Sequence, residues 1–172
     1  MAAPGTTLPF VIKRSSDEMD FTEITSTTEE VHGILRIEED VLVVQWSTAR
    51  QTERVGITAI RTERDLDPAR EVRLPLVGLG GATYRWRWWL FQPRATLVIR
   101  AADLKAFRIL AGDSGLLLEH PAELRLGVRW GDRALAKEFA AELELQLADR
   151  ALEAAEARVS LGARSRERLS GG

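Results

Sequence analysis

Apolar and polar residues alternate with a period of two through most of the middle of the chain, which indicates β-strands. The clearest example is 122–130, where Leu124, Leu126 and Val128 alternate with charged residues. Similar alternation predicts six further strands, at 31–37, 41–47, 54–63, 70–76, 82–91 and 95–101. The connections are too short for crossover helices, so we predict a mainly β fold with seven antiparallel strands.

From Asp132 onward the apolar period becomes that of a helix. Residues 133–158 are rich in helix formers and contain neither Gly nor Pro, and Asp132 is a suitable N-cap. One stripe of this predicted helix is apolar: Leu135, Phe139, Leu143 and Leu147. Because the stripe thins beyond Arg150, we expect the helix to project past the sheet. A shorter helix is predicted between Asp103, as its cap, and Gly112, as its end.

The two ends of the chain lack sustained periodicity. Residues 1–30 are rich in Thr, Ser and acid, although the apolar run at 8–12 could lie against another apolar surface, and 158–172 is polar and Gly-rich. Such composition is typical of segments that are flexible or bound to a partner. We therefore predict an N-terminal arm at 1–30, one domain at 31–157 and a C-terminal tail at 158–172.

Seven antiparallel strands followed by one long amphipathic helix resemble the pleckstrin-homology-like superfold, in its bacterial type. The resemblance covers about 31–157 and rests on the order of three features: the hairpin VHGILRI…VLVVQWS, the hairpin YRWRWWLF…TLVIRA, and the helix start DRALAKEF. It implies a barrel of two near-orthogonal sheets, with the C-terminal helix closing one open end. In that helix Phe139 stands where the superfold usually has tryptophan.

The same resemblance bears on function. Phosphoinositide-binding members of the superfold carry Lys and Arg around the first hairpin loop, whereas this chain has the acidic turn EED at 38–40. Many bacterial domains of this fold bind proteins instead, and the acidic turn fits those domains better.

Composition excludes several classes of protein. The 172 residues are 45% hydrophobic and 29% charged, which is typical of a soluble globular domain. A net charge of −2 argues against a nucleic-acid partner, because such binding needs a basic excess. The absence of cysteine excludes disulfides and fits a reducing compartment. With neither a signal peptide nor a spanning apolar run, we expect a cytoplasmic protein, and any contact with a membrane would be at its cytoplasmic face, through a partner.

Catalytic chemistry has little support in the sequence. The segment GDSG at 112–115 resembles the surroundings of a chymotrypsin-type serine, yet Leu116 replaces a glycine and His32 lacks that family's setting. We expect a turn there, which leaves an uncharacterised hydrolase using Ser114 as the last alternative. The segment VGLGGAT at 77–83 precedes a strand rather than a helix, so it predicts a bend or bulge and no dinucleotide site.

Metal and cofactor sites are not predicted either. His32 and His120 are the only histidines, and neither has a second ligand at helical spacing. Glu38, Glu39 and Asp40 are adjacent acids in a hairpin turn, where a solvated tip is expected more often than a cation site.

The segment TYRWRWWLFQPR at 83–94 carries the strongest binding signal. Alternation assigns Tyr84, Trp86, Trp88 and Leu90 to the core, near Trp46 and Trp130. The opposite face combines arginine with aromatic residues, which are the residue types that dominate protein interfaces. We predict a partner-binding surface formed by Arg85, Arg87, Trp89, Phe91 and Arg94. The alternative is that the N-terminal arm or the helix covers these aromatic side chains.

These observations predict a non-catalytic binding or scaffold module. We expect an accessory subunit that docks onto a larger bacterial protein complex, membrane-associated or not, as part of a hetero-oligomer. The alternative is a peripheral membrane domain that binds anionic lipid directly, since Trp and Arg also suit a membrane interface. Stacking of single-stranded bases is disfavoured by the acidic remainder of the chain.

Overall fold

A computed structural model describes residues 6–20, 23–56, 59–89, 92–111, 116 and 118–170; the side chains of 88–93, 111 and 160–170 are outside this description. The described residues form eight strands: β1 (Thr7–Met19), β2 (Glu23–Glu38), β3 (Val41–Gly56), β4 (Ile60–Leu66), β5 (Arg70–Pro75), β6 (Leu79–Trp89), β7 (Gln92–Ala101) and β8 (Glu123–Val128). Two α-helices accompany them, α1 (Arg108–Ala111) and α2 (Arg133–Ser170).

The eight strands belong to one antiparallel sheet in the order β4-β3-β2-β1-β8-β7-β6, and β5 pairs with the first part of β3. A mainly β, antiparallel fold with a long C-terminal helix is therefore confirmed. Within the described residues no strand pair joins β6 back to β4 or β5. The sheet stays open as one continuous path, so the predicted barrel of two sheets describes it only loosely.

The hydrophobic core lies between one face of the sheet and the first part of α2. Alternate residues of the strands point into it and leave almost no surface exposed: Leu8, Phe10, Leu35, Val44, Leu97 and Leu126. From α2, Phe139 and Leu143 are fully buried, and Leu135 and Leu147 pack at the margin, as the stripe predicts. Residues 148–159 are all exposed, so the helix does project beyond the sheet.

The predicted arm at 1–30 is wrong for the described part of that segment. It contains β1 and the start of β2, and β1 pairs with β2 along its whole length, from Thr7–Arg36 to Met19–Ile24. Leu8 and Phe10 are core residues. The segment lacked a strand signal because only its first residues reach the core. The rest of β1 is exposed to water on both faces, so no apolar face is required.

We call the part of the sheet that extends beyond the core the wing. It comprises residues 13–19 of β1, 23–30 of β2, 49–56 of β3 and all of β4. Nearly all of its side chains are exposed or half-exposed, and every residue of β4 is exposed. An in-register row of exposed apolar side chains crosses its tip: Met19, Ile24, Val55 and Ile60.

Three predicted boundaries change. The single strand predicted at 54–63 is wrong, because β3 ends at Gly56 and β4 begins at Ile60; the Gly56 N–H donates to the Ala59 carbonyl at 3.0 Å. The helix predicted after Asp103 is only one turn, α1, although Asp103 does accept a hydrogen bond from the Lys105 N–H at 3.0 Å. The predicted tail at 158–172 is helical through Ser170.

Candidate binding cleft

The candidate site forms at the junction between β1 and β8. These strands pair at a single position, Val11 with Gly127. A Cβ on Gly127 would lie 2.4 Å from the Val11 carbonyl oxygen, so glycine is what lets the two backbones meet. Beyond Val11, β1 continues along β2 without β8. The junction leaves an open cleft of about 970 Å³, mainly on the sheet face opposite α2.

We call this cleft the arginine cleft because of the side chains that line it. Six are cationic and two are acidic: Lys13, Arg85, Arg87, Arg94, Arg125 and Arg129, with Glu30 and Glu119. Arg85 and Arg87 come from β6, Arg94 from β7 and Arg125 from β8, while Arg129 follows β8 directly. Cross-strand register places them on the same face, since Arg85 is opposite Thr96 and Thr96 is opposite Gly127.

Two of the cations are neutralised by acids. Lys13 Nζ lies 2.8 Å from Glu30, and this hydrogen bond lowers the pKa of Glu30 despite the opposing effect of desolvation. Arg125 lies 2.7 Å from Glu123 and 3.5 Å from Glu119. The hydrogen bond from Arg125 lowers the pKa of Glu123, and the same bond raises the pKa of Arg125. These pairs are therefore fully charged at neutral pH.

The other four arginines have no such partner. Arg85, Arg87, Arg94 and Arg129 are exposed, and none forms an ion pair with an acid in the part of the chain that the structure describes. Arg87 and Arg94 stand directly opposite each other on β6 and β7, an arrangement of like charges that destabilises a strand pair. A surface that keeps this repulsion without counter-charge is suited to bind an anionic group.

Three of the five residues predicted to bind a partner, Arg85, Arg87 and Arg94, come together in the arginine cleft. The side chains of Trp89 and Phe91, the other two, lie outside the described residues. Three further cations of the cleft escaped sequence reasoning: Lys13, Arg125 and Arg129. In the sequence, the alternation around Arg125 and Arg129 shows only that these two side chains point away from the core. It does not show that β1, β7 and β8 lie side by side, because the order of strands in a sheet is set by the tertiary structure.

The predicted core aromatic row is wrong for Trp86 and Trp130. Their rings do contact each other edge to face, with centroids 6.0 Å apart, but 47% of Trp86 and 43% of Trp130 are exposed. The reason is that α2 begins only at Arg133, so its first turn does not cover this end of β6. The Arg133 guanidinium stacks over the Trp130 ring at 4.3 Å. Tyr84 is half-buried against the core, as predicted, and Trp46 is buried within it.

The remaining sequence candidates take structural roles where they are described. In the acidic turn, Glu38 pairs with Arg36 at 2.7 Å, and Asp40 pairs with Arg150 of α2. No group of three His, Asp or Glu residues able to hold a metal occurs among the described residues. The predicted bulge is present between Leu79 and Gly81. Residues 112–115, which include Ser114, lie outside the described residues.

No family model matches the chain, and neither a curated protein nor a solved structure matches it. The pleckstrin-homology-like resemblance, which rests on the order of elements, stays a prediction. Within the described range no helix combines the length and the apolar character needed to cross a bilayer.

Proposed function

We propose that this chain is a non-catalytic binding module that docks onto an acidic segment of a partner protein through the arginine cleft. The observation that carries the proposal is the group of four unpaired arginines, with Arg87 and Arg94 directly opposed across a strand pair. An acidic partner segment would relieve that repulsion and add charge-assisted, bidentate hydrogen bonds. The module then acts as an accessory or scaffold subunit of a larger, hetero-oligomeric complex in the cytoplasm or at the cytoplasmic face of a membrane.

Size and charge favour a protein segment over nucleic acid. The cleft, at about 970 Å³, fits a few residues of an extended peptide. The whole chain carries a net charge of −2, so its surface beyond the cleft repels a long polyanion such as DNA or RNA. A short acidic segment contacts only the cleft and avoids that repulsion.

The proposal is tested with a fluorescein-labelled octapeptide of glutamate, followed by fluorescence anisotropy. The double substitution Arg87→Glu/Arg94→Glu should weaken binding by at least about tenfold. Arg61→Glu/Arg64→Glu in β4 changes the net charge equally on a distant, exposed strand and should leave binding unchanged. Raising the salt concentration should weaken binding of the wild type, since exposed charges are screened. If both double variants lose the same amount of affinity for the peptide, the effect is one of net charge, and a specific role of the cleft is contradicted.

A direct membrane role is the second candidate, and the exposed indoles favour it. Trp86 and Trp130, with Arg133 stacked on the latter, lie on the other face of the β6–β7 hairpin from the cleft arginines. Indole and guanidinium together suit the interface of an anionic bilayer. Vesicles containing phosphatidylglycerol should then bind the wild type and bind Trp86→Ala/Trp130→Ala weakly. If those vesicles and pure phosphatidylcholine vesicles bind equally little, the membrane role is wrong.

A further inference from the structure

Strand β1 has one edge that no strand of the described part covers. Its other edge pairs with β2 along the whole strand, whereas on this side the pairing with β8 stops at Val11. The contact between the Val11 carbonyl and Gly127 shows that odd-numbered residues of β1 direct their backbone groups to this side. The N–H and C=O groups of Lys13, Ser15, Asp17 and Met19 therefore face a free edge. Long open edges are templates for pairing with another strand.

The sequence of this edge is KRSSDEM at 13–19, with its cations at one end and its acids towards the other. Antiparallel pairing of two copies about Ser16 uses the whole free edge, with Lys13 opposite Met19. It places Arg14, which also lies 3.6 Å from Glu29 of β2, opposite Glu18, so the same cation–acid pair occurs twice. Residues that face each other across a strand pair share one face of the sheet, and opposite charges there stabilise the pair.

The extent of the free edge favours pairing about Ser16 over pairing about Ser15. Pairing about Ser15 would bring Met19 opposite Val11, whose backbone already pairs with Gly127. The acidic end of β1 is followed by Asp20 and Glu23, which in the second copy would run toward Lys13 at the margin of the arginine cleft.

We propose that the chain forms a two-fold symmetric dimer in which the β1 edges of two copies pair antiparallel about Ser16. The two wings then form one continuous sheet, and the interface is the same patch on both copies. Charge complementarity favours a second copy as the occupant, since Arg14 of each copy then faces Glu18 of the other. The dimer does not rest on the proposed docking of an acidic segment, because the four unpaired arginines are not part of the paired edge; Lys13 alone belongs to both the edge and the cationic lining of the cleft.

The dimer is tested by sedimentation and by light scattering on the full chain. The wild type should have about twice the mass of the 19.2 kDa chain. Glu18→Arg places two cations opposite each other and should give a monomer. Arg14→Glu places two acids opposite each other and should give the same result. An equimolar mixture of these two variants should recover the dimer, because the reversed charges are then opposite in sign.

The mixture also controls for folding, since a variant that did not fold could not restore pairing. Circular dichroism of each variant provides a second check, and Arg61→Glu/Glu63→Arg on β4 should leave the dimer intact. A monomeric wild type at about 100 μM overturns the proposal. So does a dimer that survives both single variants, or folded single variants whose mixture stays monomeric. Binding of the octaglutamate peptide should persist in Glu18→Arg, which separates this proposal from that of the cleft.

Discussion

Gly127→Ala tests whether the single backbone pairing between β1 and β8 holds the arginine cleft together. The added Cβ would lie 2.4 Å from the Val11 carbonyl oxygen, whereas real Cβ atoms stay at least 3.0 Å from such neighbours. The strands must therefore separate. Overpacking costs about 1–3 kcal/mol, and the weakened backbone hydrogen bond costs about 1 kcal/mol more. We expect the free energy of unfolding to fall by about 2–4 kcal/mol, a large share of the stability of an ordinary domain.

The assay is urea denaturation followed by circular dichroism, where this loss lowers the midpoint by about 1–2 M. Gly131→Ala is the matched control, because nothing lies within 4 Å of a Cβ at that position. Its effect should be neutral or stabilising by up to about 1 kcal/mol. Equal midpoints for the two variants would refute the argument that β1 and β8 meet through a close backbone approach at Gly127.

Two further outcomes follow from packing and charge. Phe139→Ala should lower the free energy of unfolding by about 3–5 kcal/mol, because this fully buried ring joins α2 to the sheet. Leu152→Ala, on the exposed part of the helix, is the control. It should change the free energy of unfolding by less than about 0.5 kcal/mol in the same denaturation assay. Glu30 has a pKa below its ordinary value of 4.5 because Lys13 donates a hydrogen bond to it. The contribution of this ion pair to the free energy of unfolding is therefore fully present above pH 4.5, and it is lost as the pH falls through the lowered pKa. Denaturation from pH 3 to 7 should show Glu30→Gln to be less stable than the wild type by up to about 1 kcal/mol near neutrality and equally stable at the acid end; a difference that is constant with pH would contradict the ion pair.

The placement of charge explains how a chain with a slight negative net charge can present a cationic site. Some acids elsewhere in the molecule are paired with nearby cations, as Glu38 is with Arg36 and Asp40 is with Arg150. The cleft is different, because Arg87 and Arg94 face each other on neighbouring strands while Arg129 approaches from the end of β8. Net charge describes the whole chain, whereas the local excess of cations at the cleft is a property of the folded sheet.

The sequence by itself determined the elements whose pattern is local. The alternation in 122–130 placed Leu124, Leu126 and Val128 in the core, and the four-residue repeat of α2 placed Phe139 there. Both predictions succeed because the side-chain period of a strand or helix is set by the backbone and is visible in a short window. The acidic turn between β2 and β3 and the bulge at the start of β6 could also be predicted, because their signals are local.

Only the tertiary structure decided what the wing and the arginine cleft contain. β1 has little apolar alternation beyond its first residues, because most of it pairs with β2 while both faces contact water. Trp86 is half exposed because α2 starts too late to cover it. A period-two pattern predicts which face of a strand a side chain is on, but not whether a helix covers that face. Lys13, Arg85 and Arg129 are far apart in sequence, and they line one cleft because strand order places β1 beside β8 and β8 beside β7. Which strands lie next to each other in a sheet depends on contacts between distant parts of the chain, so it cannot be predicted from the spacing of residues along the sequence.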